Sequence, residues 1–128
     1  MNKTLFLVDT NIIVDFLRGD SKAKEFIINN VDEIKISVVS VSELYAGVRG
    51  KREEEQLKNF LNSFETLVLD YNISVEAGYL KNKYYKSHNA GLADCMIAAT
   101  SMQHDLTLVT DNFKHFPMIK DKIKIKNP

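Results

Sequence analysis

The sequence predicts an α/β fold with a central, mostly parallel β-sheet flanked by α-helices, built as one domain over residues 1–128. Three observations carry this. Short apolar runs of strand length alternate with segments whose apolar residues recur at helical spacing, the order that yields parallel strands joined by crossover helices. A chain of 128 residues that is 45% hydrophobic has the length of one domain and enough apolar surface for its own core. With 5 Gly and 2 Pro, no linker, repeat or low-complexity stretch divides it.

The elements follow in order. Residues 5–8 are apolar and stop at Asp9-Thr10-Asn11, a buried strand ending in a polar turn. Ile12, Ile13, Phe16 and Leu17 then keep helical spacing as far as Gly19, and Ser21 is placed to cap a second helix with Phe26 and Ile27 inward. Residues 34–39 read as the second strand, and Ser40-Val41-Ser42-Glu43 has the form of a capping box opening a third helix. Residues 53–64 form a charged amphipathic helix whose Leu57, Phe60, Leu61 and Phe64 stripe faces the sheet or a partner. Residues 67–69 are a third strand, 74–87 a helix and 89–91 a turn. Small residues dominate the helix at 92–104, a strand follows at 106–109, and 123–125 form an edge strand.

Composition excludes several classes. A single cysteine rules out a disulfide framework, and no Cys/His cluster has zinc-ligand spacing. Apolar runs such as residues 5–8 fall far short of the ~18 residues of a membrane span, and no signal-peptide core precedes a cleavage site, so no membrane association and a cytoplasmic location are expected. The formal charge of zero conceals an uneven distribution. Residues 1–80 carry 9 Lys+Arg against 13 Asp+Glu, whereas residues 81–128 carry 8 Lys against 4 Asp. A neutral sum therefore does not exclude a nucleic-acid partner.

In open α/β sheets, ligands bind beyond the carboxyl ends of the strands. Asp9 directly follows the first strand, Glu43 lies just past the second, Asp94 opens the helix before the 106–109 strand, and Asp111 follows that strand. Four carboxyls gathered at one edge repel unless a cation intervenes, and oxygen donors without thiolates suit a hard ion, Mg²⁺ or Mn²⁺. Each acid also has a local use: Asp9 as a helix cap, Glu43 as the partner of Ser40, Asp94 in a first helical turn and Asp111-Asn112 as a turn pair.

The blocks Leu7-Val8-Asp9-Thr10-Asn11-Ile12-Ile13, Ser40-Val41-Ser42-Glu43-Leu44-Tyr45-Ala46-Gly47, Leu92-Ala93-Asp94-Cys95-Met96-Ile97-Ala98-Ala99-Thr100 and Leu108-Val109-Thr110-Asp111-Asn112-Phe113-Lys114-His115-Phe116 resemble the successive motifs of PIN-domain nucleases. The similarity is closest to the VapC-type ribonuclease toxins of prokaryotic toxin–antitoxin pairs, and it runs from residue 5 to about 116. The resemblance implies a metal-dependent endoribonuclease with Asp9, Glu43 and Asp94 as metal ligands. The family's last motif commonly carries an acid or Asn where Asn112 stands and an acid where His115 stands, so the resemblance leaves two options: Asp111 supplies the fourth carboxylate from a shifted position, or Asn112 supplies a neutral ligand or water contact. Thr10, Asn11, Thr110, Asn112 and His115 fall where they would orient the ligands or waters. The ion would acidify a water for in-line attack on an RNA phosphodiester.

The resemblance further implies a homodimer and silencing by a small VapB-like antitoxin. Tyr79, Tyr84 and Tyr85 interleave with Lys81, Lys83 and Lys86, a mix suited to unpaired RNA or, at helical spacing, to the core. His88 and His104 carry no assigned role, and Cys95 reads as a small buried hydrophobe. Two rival readings remain at this point: an α/β phosphatase or phosphoacceptor using Asp9, and a non-catalytic PIN-like binding module.

Overall fold

The computed structural model describes residues 3–84 and 90–125; expectations resting on Tyr85, Lys86, Ser87, His88, Asn89 and Lys126 lie outside them. Five short strands, β1 Phe6–Val8, β2 Ile34–Ser37, β3 Glu65–Leu67, β4 Thr107–Val109 and β5 Lys122–Ile123, form one sheet in the order β3-β2-β1-β4-β5. Every pairing is parallel. The connecting helices are α1 Thr10–Leu17, α2 Ser21–Asn29, α3 Val38–Ala46, α4 Lys51–Leu61, α5 Tyr71–Tyr84 and α6 Leu92–Gln103.

The chain winds outward from β1 through β2 to β3, then returns to lay β4 on the other edge of β1. The boundary between β1 and β4 is therefore where the winding reverses. A crevice opens beyond the strand ends at such a point.

Alternation along the strands divides the core in two. Leu7 and Leu108, register partners, join Ile73 and Ala77 of α5 and Cys95 and Ala98 of α6 on one face. Val8 and Val109, also partners, join Ile12 and Ile13 of α1, Leu44 of α3 and Leu57 of α4 on the other. Burial on both faces is why these strands read as continuous apolar runs. The Leu57 stripe resolves as core: Leu57 is buried, and Phe60, Leu61 and Phe64 pack against the same cluster. In α6, Thr100 and Ser101 stay buried because their hydroxyls donate to the carbonyls of Met96 and Ala98 at 2.7 and 2.8 Å.

α4 runs over Lys51–Leu61 rather than 53–64 and has no side-chain cap, whereas α2, α3 and α5 begin earlier than the sequence suggests for one shared reason: an acceptor side chain upstream satisfies the free N–H groups first. Ser37 Oγ accepts from Val39 N at 3.0 Å, so β2 stops at Ser37, α3 starts at Val38, and the expected Ser40–Glu43 capping box does not exist. Asp20, not Ser21, caps α2 by accepting from Ala23 N at 3.0 Å. Asp70 accepts from Ile73 N at 2.8 Å and starts α5 at Tyr71 rather than at 74. Between α1 and α2, Gly19 takes the left-handed φ of 92°, and Asp20 N donates to Asp15 O at 2.9 Å, which closes α1 tightly.

Candidate active site

The crevice at the β1–β4 boundary is built around Asp9. Its backbone N donates to Val109 O at 2.9 Å, extending the β1–β4 ladder by one residue, and its side chain caps α1 by accepting from Thr10 N at 2.8 Å on Oδ1. The other carboxyl oxygen, Oδ2, accepts from the Thr110 hydroxyl at 2.8 Å. Thr110 is fully buried, and its Oγ1 in turn accepts from Asn112 N at 3.0 Å. Asp9 is 5% exposed. Burial pushes its carboxyl up from 3.8 to about 6; the hydrogen bonds from Thr110 and Thr10 oppose that rise, and the negative charges of Asp94 and Glu43 add to it.

Because α3 starts at Val38, Ser40 and Glu43 stand one helical turn apart on the face toward α1. Both meet Thr10, whose Oγ1 lies 2.8 Å from Ser40 Oγ and 2.7 Å from Glu43 Oε1. A threonine hydroxyl has one proton, and an ionised carboxylate only accepts. Thr10 therefore donates to Glu43 and receives from Ser40, which fixes the exposed Glu43 carboxylate beside the α1 N-terminus. Ser40 was not among the sequence-stated site residues; its signal was the three-residue spacing from Glu43, hidden by its assignment as a cap.

Asp94 lies in the first turn of α6, and its Oδ2 is 3.5 Å from His115 Nδ1, which is also 3.4 Å from Asn112 Nδ2. Thr10, Thr110, Asn112 and His115 thus all meet the acidic edge. Asn11 is exposed on α1 and, among the described residues, hydrogen-bonds none of the acids. Asp111 Oδ1 accepts from Ile125 N at 3.0 Å and so ties down the segment after β5, while the acids whose charge acts on Asp9 are Asp94 and Glu43.

Among the described residues no three His, Cys, Asp or Glu side chains converge into a ready-formed cation cage. Each acid of the edge has its own neighbour: the Thr110 hydroxyl for Asp9, the Thr10 hydroxyl for Glu43, and the His115 ring for Asp94. The arrangement nonetheless collects three carboxylates around one crevice, and among the described residues no lysine or arginine is a hydrogen-bond partner of Asp9. The Tyr–Lys stretch of α5 has a different use: Lys81 Nζ donates to Ala90 O at 2.7 Å, and Tyr84 packs on the core, while Tyr79 is exposed. Among the described residues no helix is long and apolar enough to cross a membrane.

Comparison with known proteins agrees with this geometry. The PIN domain family matches residues 6–120. Ribonuclease VapC19 of Mycobacterium tuberculosis is 38% identical over 120 residues, covering 90% of this chain and 94% of that one. Ribonuclease VapC10 of the same organism is 36% identical over 119 residues, covering 91% and 89%. Among solved structures, a chain of a toxin–antitoxin complex from Klebsiella pneumoniae superposes with a TM-score of 0.82 at 25% identity, covering 95% of this chain and 98% of that one. With a match that spans both strands of the crevice and every acid around it, the chain belongs to the PIN-domain family, in the group of the VapC ribonucleases.

Proposed function

We propose that this chain is a metal-dependent endoribonuclease, the toxin of a VapBC-type pair, which hydrolyses RNA phosphodiester bonds with Mg²⁺, or Mn²⁺ in its place, held by Asp9, Glu43 and Asp94. The observation that carries this reading is the Asp9 carboxyl, buried at a strand end with Asp94 and Glu43 close by: burial pushes it up to about 6, and the two further acids add to the rise. Such a group is completed by a cation. The donor set fits a hard divalent ion: carboxylate oxygens flanked by the Thr10, Ser40 and Thr110 hydroxyls, with the Cys95 thiol buried. When bound, the ion supplies an acidified water and neutralises charge on a phosphoryl oxygen.

The protein's own groups do the positioning. Thr110 and the Thr10 N–H hold the two Asp9 oxygens in fixed directions and favour the ionised form that a cation needs. Thr10, locked by Ser40, aims Glu43 at the same edge. His115 stands beside Asp94 where the family commonly carries an acid, so the edge has fewer negative charges than a four-acid site. Asp111 serves as an anchor for the chain after β5 rather than as a ligand.

The relatives named as VapC ribonucleases and the toxin–antitoxin complex among the structural neighbours support a VapB-like antitoxin as partner; a homodimeric state and action in the cytoplasm are part of the same proposal. The decisive experiment maps cleavage sites on total cellular RNA with wild type and Asp94→Asn, with and without Mn²⁺. Discrete cuts only with wild type and metal are expected. Equal cutting by Asp94→Asn, in preparations free of host nuclease, would sink the assignment.

A further inference from the structure

A cleft of about 310 Å³ continues from the acidic edge along the groove between α1 and α3. The two helices are joined at their site end by the Thr10–Ser40–Glu43 hydrogen bonds, and Glu43 also lines the cleft. From Thr10, successive turns of α1 present Val14 and then Leu17 and Arg18 to it; from Glu43, α3 presents Leu44, Gly47 and Val48. Leu44 and Leu57 make a buried apolar floor. Arg18 and Arg49 line the cleft, both are exposed, and neither forms an ion pair among the described residues. The neighbouring Glu53 carboxylate is already engaged by Arg49 N at 2.9 Å. The far end of the cleft, at Arg18, lies two helical turns from Thr10, roughly 12 Å along the axis.

An apolar floor between two uncommitted guanidinium groups, opening directly onto a phosphodiester-cleaving edge, matches the chemistry of an unpaired nucleotide. The base is taken out of water against aliphatic side chains or a guanidinium plane, and its phosphates meet the Arg18 and Arg49 guanidiniums on a rim that Glu43 and Glu53 also line. A purely acidic guest would leave the apolar floor unmatched, and a purely apolar one the guanidiniums. We infer that this cleft is a substrate subsite, seating one base of single-stranded RNA that flanks the scissile phosphate, with Arg18 and Arg49 as the residues that set base preference and affinity. The inference rests on the endoribonuclease reading and names where on the chain its substrate is read.

The test separates binding from cutting. In an Asp94→Asn background, the affinity of a fluorescein-labelled single-stranded RNA of known cleavage is measured by anisotropy while each position around the cut is replaced in turn by an abasic unit. One flanking position is expected to weaken binding about tenfold when abasic, in line with base stacking. Adding Arg18→Ala and Arg49→Ala should weaken the parent RNA to the same degree and abolish the further effect of that abasic unit. Arg49→Lys, which keeps charge but loses the plane, should fall between. A flat abasic scan, or abasic and arginine effects that simply multiply, would overturn the subsite and leave the cleft to a protein side chain. Wild type with Mn²⁺ on the same RNA tests the parent reading separately. Uncut RNA with the coupling intact removes the nuclease and keeps the nucleotide cleft, whereas cut RNA without coupling does the reverse.

Discussion

Asp9 and Asp111 stand at the carboxyl ends of β1 and β4, neighbouring strands of one parallel sheet, yet their carboxyl groups meet different surroundings. Val8 pairs with Val109, so the ladder places Thr110, not Asp111, beside Asp9. The chain bends at Asp111, one residue further on. Thr110 therefore gives its hydroxyl proton to Asp9, and Asp111 reaches instead for Ile125 N on the segment after β5. Position at a strand end is not sufficient to join a site. Register decides which of two successive polar residues faces the crevice.

The largest effect that separates the two aspartates is on activity. Asp9→Asn removes a charge from the proposed ion site and should lower metal-dependent RNA cleavage by more than about 100-fold, beyond what loss of a supporting contact does. Asp111→Asn keeps an oxygen to accept from Ile125 N and should stay within a few-fold of wild type. Side-by-side rates on one RNA at saturating Mn²⁺ measure both. A large loss in Asp111→Asn with the fold intact would place that residue in the site after all.

Stability against pH gives the second contrast. Asp9 binds its proton more tightly folded, at about 6, than unfolded, at 3.8. Below about pH 4 both states are protonated and the group is neutral in effect. As pH rises from 4 to 6, the unfolded chain releases the proton first and folding stability falls; above about 6 the loss is complete, on the order of 3 kcal/mol. Metal-free Asp9→Asn should thus be more stable than wild type at pH 8 and lose that advantage by pH 4, measured by urea unfolding at each pH. Mn²⁺ should raise the wild-type stability at pH 8 and leave Asp9→Asn unmoved, because only a state that binds ligand gains from it. No such pH window is expected to open or close with Asp111→Asn.

Much of this was legible in the chain. Apolar runs of strand length alternating with helical spacing gave the parallel sheet, and Asp9 after residues 5–8 and Asp94 in a helix start needed only chain order to be placed. Two positions were not legible, Ser40 as a helix-interior residue and the direction in which Asp111 reaches, for different physical reasons. Ser40 competed with Ser37 for the same capping role, and two serines at that spacing are indistinguishable until the strand end is fixed. Asp111 required the register of β1 against β4, a long-range property that no local pattern reports. Glu43 has Thr10, 33 residues away, as its hydrogen-bond partner, rather than the Ser40 backbone that a capping box would give it.

Thr110 links the two aspartates, and its variants give a smaller, sharper effect. Thr110→Val keeps the volume but withdraws the proton given to Asp9 Oδ2 and the acceptor for Asn112 N. Because the Thr110 hydrogen bond opposes the rise in the Asp9 carboxyl, its loss moves that carboxyl further upward. Mn²⁺ affinity by calorimetry should fall about 10-fold or more at pH 7, recover partly at higher pH as Asp9 ionises, and return with Thr110→Ser. Equal affinities for Val and wild type across pH would show that the hydroxyl has no bearing on the ion.

The smallest effect belongs to Asp111 itself. Asp111→Ala deletes the acceptor for Ile125 N, a hydrogen bond of an edge segment, and should lower stability by about 1 kcal/mol. Its consequence is local: amide exchange should quicken at Ile125 and at β5, whose Lys122–Ile123 pairing with β4 is only two residues long, while the Thr110–Asp9 contact and Mn²⁺ affinity stay as in wild type. Loosening that spread instead to β1, with Mn²⁺ affinity falling in step, would mean that the anchor and the ion site are one mechanical unit, and the contrast between the two aspartates would reduce to a difference of distance from the same site.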